Sequence, residues 1–255
     1  MQLALLAGSS IGVSLGVFGS GGSVLALPVL VYLAGQSPKE AVTGSLFIVT
    51  IISITTLLFS DSRRQIHWPN AVALGVPGIA GTYSGALLAS LVSGAVQLAV
   101  FAILMLVSSS LMWRQQPKAA ENNPAGLWLM VATGFLVGIF TGFAGVGGGF
   151  LLLPALVMIA RLDFLRARAT SLLLIAVNAS VGFIKNSWLL NQQGSTLDWL
   201  VLISIATLGA LGALIGQHYS ARWPQQRLRK GFAVFLILLA GLVFWQTLPE
   251  LMEVS

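Results

Sequence analysis

The sequence predicts an all-α polytopic membrane protein made of two inverted-topology repeats, each a glycine-broken re-entrant helical hairpin followed by three transmembrane helices. Three observations predict it. The 255-residue chain is 56% hydrophobic and 8% charged, with a mean hydropathy of +0.91, whereas soluble domains carry about 25% charged residues. One glycine-proline pattern occurs twice, each time in apolar sequence. The basic residues are concentrated in four of the loops.

The first copy of the pattern runs from Gly16 to Pro28 through Gly19, Ser20, Gly21, Gly22 and Ser23; the second runs from Gly142 to Pro154 through Gly145, Gly147, Gly148 and Gly149. Pro154 follows Pro28 by 126 residues, and Ser45-Leu46 recurs at the same offset as Ser171-Leu172. Further on, Gly78, Gly81 and Gly85 match Gly209, Gly212 and Gly216 at an offset of 131, so five residues are gained near 191–196. The organisation read from this is a first membrane repeat over 1–113, a cytoplasmic linker over 114–123 and a second, inverted membrane repeat over 124–255. Paired glycine-broken apolar segments point to the substrate site of a secondary transporter, because backbone exposed inside a bilayer is tolerated only where it lines a site or is covered by protein.

Each segment has its own justification. Residues 2–18 are apolar from Leu3, have no basic flank and precede the first charge, Lys39; they read as a membrane segment rather than a cleaved signal peptide. Segments 24–34 and 150–160 each follow a glycine cluster. A helix of ten residues rises only about 15 Å, half a bilayer core, so each is the returning arm of a re-entrant hairpin. Segments 41–59, 69–91, 95–113, 125–144, 169–188, 199–220 and 231–247 approach the roughly 20 residues that a span needs. Arg63 and Arg64 follow 41–59, Arg114 and Lys118 follow 95–113, Arg161, Arg166 and Arg168 follow 150–160, and Arg222, Arg227, Arg229 and Lys230 follow 199–220. These loops hold eleven of the 13 Lys and Arg, leaving Lys39 and Lys185 for the other face. The positive-inside rule then puts the rich loops in the cytoplasm and both termini outside. Tryptophans 68, 113, 128, 188, 199, 223 and 245 fall at segment ends, as in an aromatic belt.

The candidate chemistry lies at the glycine tips. Glycine permits the sharp turns and positive φ that a tip requires, and the short helices that follow would direct free N–H groups and a positive dipole end toward it. That is an anion site without a charged side chain; the alternative is a packing hinge. Thr43, Gly44 and Ser45 begin one span, Thr170 and Ser171 its counterpart. Their hydroxyls either donate to an oxyanion or bond back to backbone. Asn178, two turns beyond Ser171, is an amide deep in its segment, opposite Ile52 in the first copy; it needs a partner, and a cavity is one way to supply it. The candidate substrate-binding set is therefore Gly19, Ser20, Gly21, Gly22, Ser23, Ser45, Gly145, Gly147, Gly148, Gly149, Thr170, Ser171 and Asn178. The glycines at 78, 81, 85, 209, 212 and 216 read as helix-packing residues. Pro28 and Pro154 fit discontinuous helices.

Several classes recede. There are no cysteines, hence no disulfide or thiolate chemistry. The net charge of +6 orients the chain in a bilayer rather than recruiting nucleic acid. His67 and His218 stand apart from other ligands, so neither a metal nor a cofactor is expected. Every Asp and Glu falls in a loop or at a segment end, which argues against a buried carboxylate relay. Lys185 reads as a snorkelling residue, and the loop arginines as orientation signals.

At Phe18-Gly19-Ser20-Gly21-Gly22 with Leu27-Pro28, then Thr43-Gly44-Ser45-Leu46, and at Gly145-Val146-Gly147-Gly148-Gly149 with Leu153-Pro154, then Ala169-Thr170-Ser171-Leu172, the chain resembles the TauE/SafE sulfite exporter (TSUP) family. It departs from the family pattern at Ser20, Ser23 and Gly44. The resemblance implies export of a small sulfur-containing anion: sulfite, thiosulfate or an organosulfonate. The residues themselves reach only a small anion at two opposed helix N-termini. The leading reading is a secondary transporter that moves a small oxyanion outward by alternating access, in the plasma (inner) membrane. The alternatives are an uncoupled anion channel or uniporter, and a membrane-embedded enzyme or assembly factor. The last would need a nucleophile or ligand cluster that the sequence does not display. The expected partners are the lipid bilayer and a small-molecule anion; no oligomeric state follows.

Overall fold

The computed structural model describes residues 2–19, 21–113, 126–192, 194–220 and 223–254. Ser20 and the linker 114–123 lie outside the described residues. Among those described, secondary structure is entirely helical: α1 (Gln2–Phe18), α2 (Gly21–Pro28), α3 (Pro38–Leu58), α4 (Trp68–Ser90), α5 (Gly94–Trp113), α6 (Leu127–Ala144), α7 (Gly149–Met158), α8 (Phe164–Gln192), α9 (Trp199–Ser220) and α10 (Gln225–Val254). Seven of them are long and apolar enough to cross a membrane. The two short helices α2 and α7 directly follow the glycine clusters.

Local sequence explains the boundaries. Pro28 lacks the N–H that would continue the α-ladder, and the chain passes into a π turn over Val29–Leu33. Ser37 and Glu40 form a capping box at the start of α3, with Pro38 as its first residue. α6 ends on Gly145 at φ 68°, and α7 starts from Gly148 at φ 66°, conformations that glycine adopts without a Cβ clash. Two helices are longer than the sequence implies. α8 begins at Phe164 rather than 169 because the Asp163 carboxylate accepts the Arg166 N–H at 3.0 Å, and arginine is itself a good helix former. α10 likewise takes in Arg227, Arg229 and Lys230.

Small residues set the packing. Gly8, Gly12 and Gly16 of α1 lie against Ile205, Gly209 and Ala213 of α9, so these helices run parallel; a Cβ on Gly12 would stand 1.9 Å from the Gly209 carbonyl oxygen. Gly134, Gly138 and Gly142 of α6 lie in the same parallel sense against Leu74, Gly78 and Thr82 of α4. Gly81, Gly85, Gly212 and Gly216 complete these two seams, as the packing reading requires. α3 and α8 cross antiparallel, with Leu46 near Gly182 and the Phe47 ring tilted against Phe183, ring centres 5.4 Å apart. α5 pairs with α10, where the Ser109 hydroxyl donates to the Ala233 carbonyl at 2.9 Å. Exchanging the two halves maps α1·α9 onto α6·α4 and returns α3·α8 and α5·α10 to themselves.

The outer surface is apolar. Val72, Val76, Leu87, Leu136, Ile203, Leu211 and Leu238 are exposed, and so are all seven tryptophans. Contiguous exposure of this kind suits lipid contact, and the protein is an integral membrane protein. Gly12→Ala forces a backbone shift at the α1/α9 seam and is expected to cost at least about 1–3 kcal/mol. Gly241→Ala, where a Cβ meets nothing within 4 Å, should leave stability unchanged or slightly raised. Thermal unfolding in detergent compares the two.

Candidate functional site

Each hairpin docks its tip on a long helix of the other half. The Ser45 hydroxyl of α3 donates to the Gly145 carbonyl of the second tip. The Ser171 hydroxyl of α8 donates to the Gly19 carbonyl of the first at 3.3 Å. Both serines are fully buried, and both pairings are related by the 126-residue offset. Each hydroxyl also lies within reach of its own helix three residues back, at the Val42 carbonyl (2.9 Å) and the Arg168 carbonyl (2.8 Å). One hydroxyl proton serves one acceptor at a time, so the bond to the tip is exchangeable.

The tips occupy different levels. From the α3/α8 register, Ser171 lies opposite about residue 57 of α3, roughly 18 Å along the axis from Ser45. The sequence places both tips toward the middle; in the structure Gly19 and Gly145 sit on either side of it, and Gly147 reaches inward to Val49, Ile175 and Ala179. Gly19, Gly145, Gly147 and Gly148 all have positive φ, near 70°. A Cβ on Gly148 would fall 1.8 Å from the Thr141 Oγ1. α7 starts there with no side-chain cap, so its first N–H groups are not consumed by a capping residue. Gly21, Gly22 and Ser23 open α2, and Ser23 is fully buried. Thr170 goes elsewhere: its Oγ1 accepts the His67 N–H at 3.0 Å, tying α8 to the start of α4.

Asn178 stands near the middle of α8, about halfway between the levels of the two tips. It is 1% exposed, and both its amide oxygen and nitrogen are without a hydrogen-bond partner among the described residues. It faces Gly78 of α4 and shares a side of α8 with Ile175, which borders Gly147. Thr82, one turn beyond Gly78, keeps a second orphaned buried oxygen. The equivalent contact in the other half is Ile52 against Gly209, wholly apolar. An unpartnered buried amide costs about 1–3 kcal/mol.

Sequence reasoning missed three residues. Arg168, read as a loop cation, is 4% exposed inside α8. One terminal guanidinium nitrogen donates to the Val17 carbonyl at 3.3 Å, and its stem covers Gly19. Gln97 of α5 donates to the Phe143 carbonyl at 2.9 Å. Val17 and Phe143 are equivalent residues, so the last turns of α1 and α6 are capped by unrelated side chains. The signal for Arg168 was its position: it falls 126 residues after buried Val42. Lys185 also differs from its reading. It is 9% exposed, with its ammonium 4.8 Å and 4.2 Å from the ring centres of Tyr83 and Trp188, a cation–π arrangement. Beside the second tip a small half-open cavity is lined by Lys39, Val42, Thr43, Gln97 and Asn186.

The family model for the sulfite exporter TauE/SafE matches residues 4–243. A "probable membrane transporter protein" of Xylella fastidiosa is 30% identical, over 96% of this chain and 95% of its own length. A protein of the same description from Methanocaldococcus jannaschii is 25% identical over 95% of this chain and 93% of its own length. One from Haemophilus influenzae is 26% identical over 93% and 96%. No solved structure matches. The chain belongs to the TauE/SafE family, and it is a membrane transporter rather than an enzyme.

Ser45→Ala and Ser171→Ala should each lower stability by about 1 kcal/mol, the typical net worth of a hydrogen bond. The two docking bonds are well separated, so the double variant should show additive losses within about 0.5 kcal/mol. Denaturant or thermal unfolding of the four proteins measures this.

Proposed function

We propose that this TauE/SafE transporter exports a small sulfur-containing oxyanion, such as sulfite, thiosulfate or an organosulfonate, by alternating access between two inverted repeats. The substrate set is Gly19, Gly21, Gly22, Ser23, Ser45, Gly145, Gly147, Gly148, Gly149, Thr170, Ser171 and Asn178; Ser20 is its sequence-read member outside the described residues. Within that set the tips supply backbone N–H groups, and Ser45 and Ser171 hold them through bonds that can be exchanged. Thr170 acts from the second layer, through the α4 entry.

The observation that carries the reading is the orphaned Asn178 amide at the middle of the α3/α8 pair. A buried amide with both ends unmet is retained against its cost when something fills it during the working cycle. An oxyanion accepts from its N–H₂, and Thr82 and the uncapped first turn of α7 offer further donors. Opposed tips on either side of this level give such an anion an approach from each face. The antiparallel α3/α8 pairing supports inversion, since a two-fold relation that reverses a helix onto its counterpart has its axis across the helices. In a membrane that relation is an inverted repeat.

Sulfite flux into vesicles containing the purified protein, with and without a pH gradient, tests the function. A saturable flux that responds to the gradient is expected. Flux that never saturates and ignores the gradient would show a channel or uniporter instead. Asn178→Ala should cut that flux by at least tenfold while raising the unfolding temperature, because the orphaned amide is gone. Unaltered flux would remove Asn178 from the site. Gly148→Val should abolish flux, since a β-branched residue resists φ near +66° and its Cβ collides with Thr141.

The topology has a separate test. In this cysteine-free chain, single cysteines at Ser37 and Ser195 should react with an impermeant thiol reagent from outside, and those at Gln116 and Gln226 should not. Outside labelling of either glutamine position would refute the placement of the termini.

A further inference from the structure

We infer that the half-open cavity beside the second hairpin's tip is a binding site for a small oxyanion that still carries a proton, hydrogensulfite rather than thiosulfate or sulfate. The inference rests on the reading that the chain carries a small oxyanion, and it narrows that reading to one protonation class.

The cavity lies where the starts of α3 and α5 meet the ends of α4 and α8, and it holds about 330 Å³, room for a small ion rather than a larger organic solute. Three groups carry the argument. Lys39, half-buried in the wall, supplies a charged donor. Asn186 is 8% exposed, and its Nδ2 has no hydrogen-bond partner among the described residues. Gln97 is 3% exposed; its Nε2 donates to the Phe143 carbonyl at 2.9 Å, and its Oε1 has no partner among the described residues. The bond to Phe143 fixes which end of that amide is which, because a carbonyl only accepts. The unmet end of Gln97 is therefore an acceptor.

Two donors and an acceptor on one cavity define what fills it. A fully ionised oxyanion offers acceptors alone, so it serves Lys39 and Asn186 and sets lone pairs against the Gln97 oxygen. An oxyanion with one proton serves all three, since its O–H donates to that oxygen. The Thr43 and Ser90 hydroxyls on the same walls already donate to the Lys39 and Leu87 carbonyls, at 3.0 and 2.7 Å, so they too present lone pairs. Sulfite keeps its last proton to near neutrality; thiosulfate and sulfate do not. A site discriminates well against a ligand that leaves its buried polar groups unpaired. A water alone could join the two amides, and Lys39 tips the choice toward an anion. Other charges nearby are engaged elsewhere: the Glu40 carboxylate accepts from Ser37, and the Lys185 ammonium lies over Tyr83 and Trp188.

The cavity borders the tip. Val42 both lines it and covers Gly145, and Gln97 caps the turn that leads into that tip. With the basic loops in the cytoplasm, it opens outward. The repeat places Leu165 where Lys39 stands, so the site has no repeat-related twin.

Calorimetric titration in detergent tests this, in the Asn178→Ala background so that the central amide does not contribute. Sulfite, thiosulfate and sulfate are compared at equal ionic strength in mildly acidic and mildly alkaline buffer. Sulfite should bind at least tenfold more tightly than either other anion in the acidic buffer and weaken at least fivefold in the alkaline one. Lys39→Gln should weaken sulfite at least fivefold, and Asn186→Leu at least threefold. Gln97→Met removes the acceptor and should abolish both the pH difference and the preference over sulfate. A pH difference that survives in Gln97→Met, or sulfite binding unaltered by Lys39→Gln, overturns the inference. Equal binding of sulfite and sulfate before any cavity substitution overturns it as well, so the test does not depend on Gln97→Met folding. Sulfite flux by the parent protein with no binding left in the Asn178→Ala background defeats the cavity site and leaves the transport reading standing. Binding of the expected pattern, with no flux by the parent, does the reverse.

Discussion

Backbone in hydrocarbon must find partners, because no water is present to replace a missing hydrogen bond. A glycine-broken hairpin violates that demand twice, once at each tip. The structure answers with one bond repeated: a buried serine from one half donates to the tip carbonyl of the other, Ser45 to Gly145 and Ser171 to Gly19. Neither hairpin is complete without the opposite half. The small-residue seams follow from this. Tip and serine meet only if α1 lies close along α9, and α6 along α4, which glycine permits at Gly12, Gly16, Gly138 and Gly142.

The same bond links architecture to motion. A serine with two acceptors in reach, one on its own helix and one on the tip, can release the tip without stranding its hydroxyl. The alternating access we propose calls for interfaces of this kind, which exchange partners at small cost rather than break outright. The orphaned polar atoms of Asn178 and Thr82 sit between the two exchangeable contacts. Departures from symmetry occur there and at the first tip: Asn178 stands where the other half has Ile52, and Arg168 where it has Val42. A symmetric scaffold with asymmetric polar residues has a built-in difference between its two faces.

Much of this was legible in the sequence because it depends on local chemistry. The 126-residue offset located both hairpins; of the tip glycines Gly19, Gly145, Gly147 and Gly148 adopt positive φ, while Gly21, Gly22 and Gly149 are already helical. Pro28 marks the end of α2, and Ser45 and Ser171 recur at the same offset as the tips they hold. Other features depend on packing between residues far apart in the chain. Arg168 looked like a loop charge because Arg161 and Arg166 flank it, yet it is buried by Gly19, some 150 residues away. Thr170 looked like a twin of Ser171, but its partner is the entry of α4. The depth of Asn178 could be counted along its segment; the lack of any partner for its amide could not.

The central claim is that an oxyanion is held between the hairpin tips at the level of Asn178. The most direct measurement is the position of a heavier analogue. Selenite bound to the purified protein can be located by anomalous diffraction from its selenium. The account predicts a selenium peak within hydrogen-bond reach of the Asn178 amide and the first turn of α7. A peak confined to the exposed basic loops, or none at saturating selenite, would contradict it.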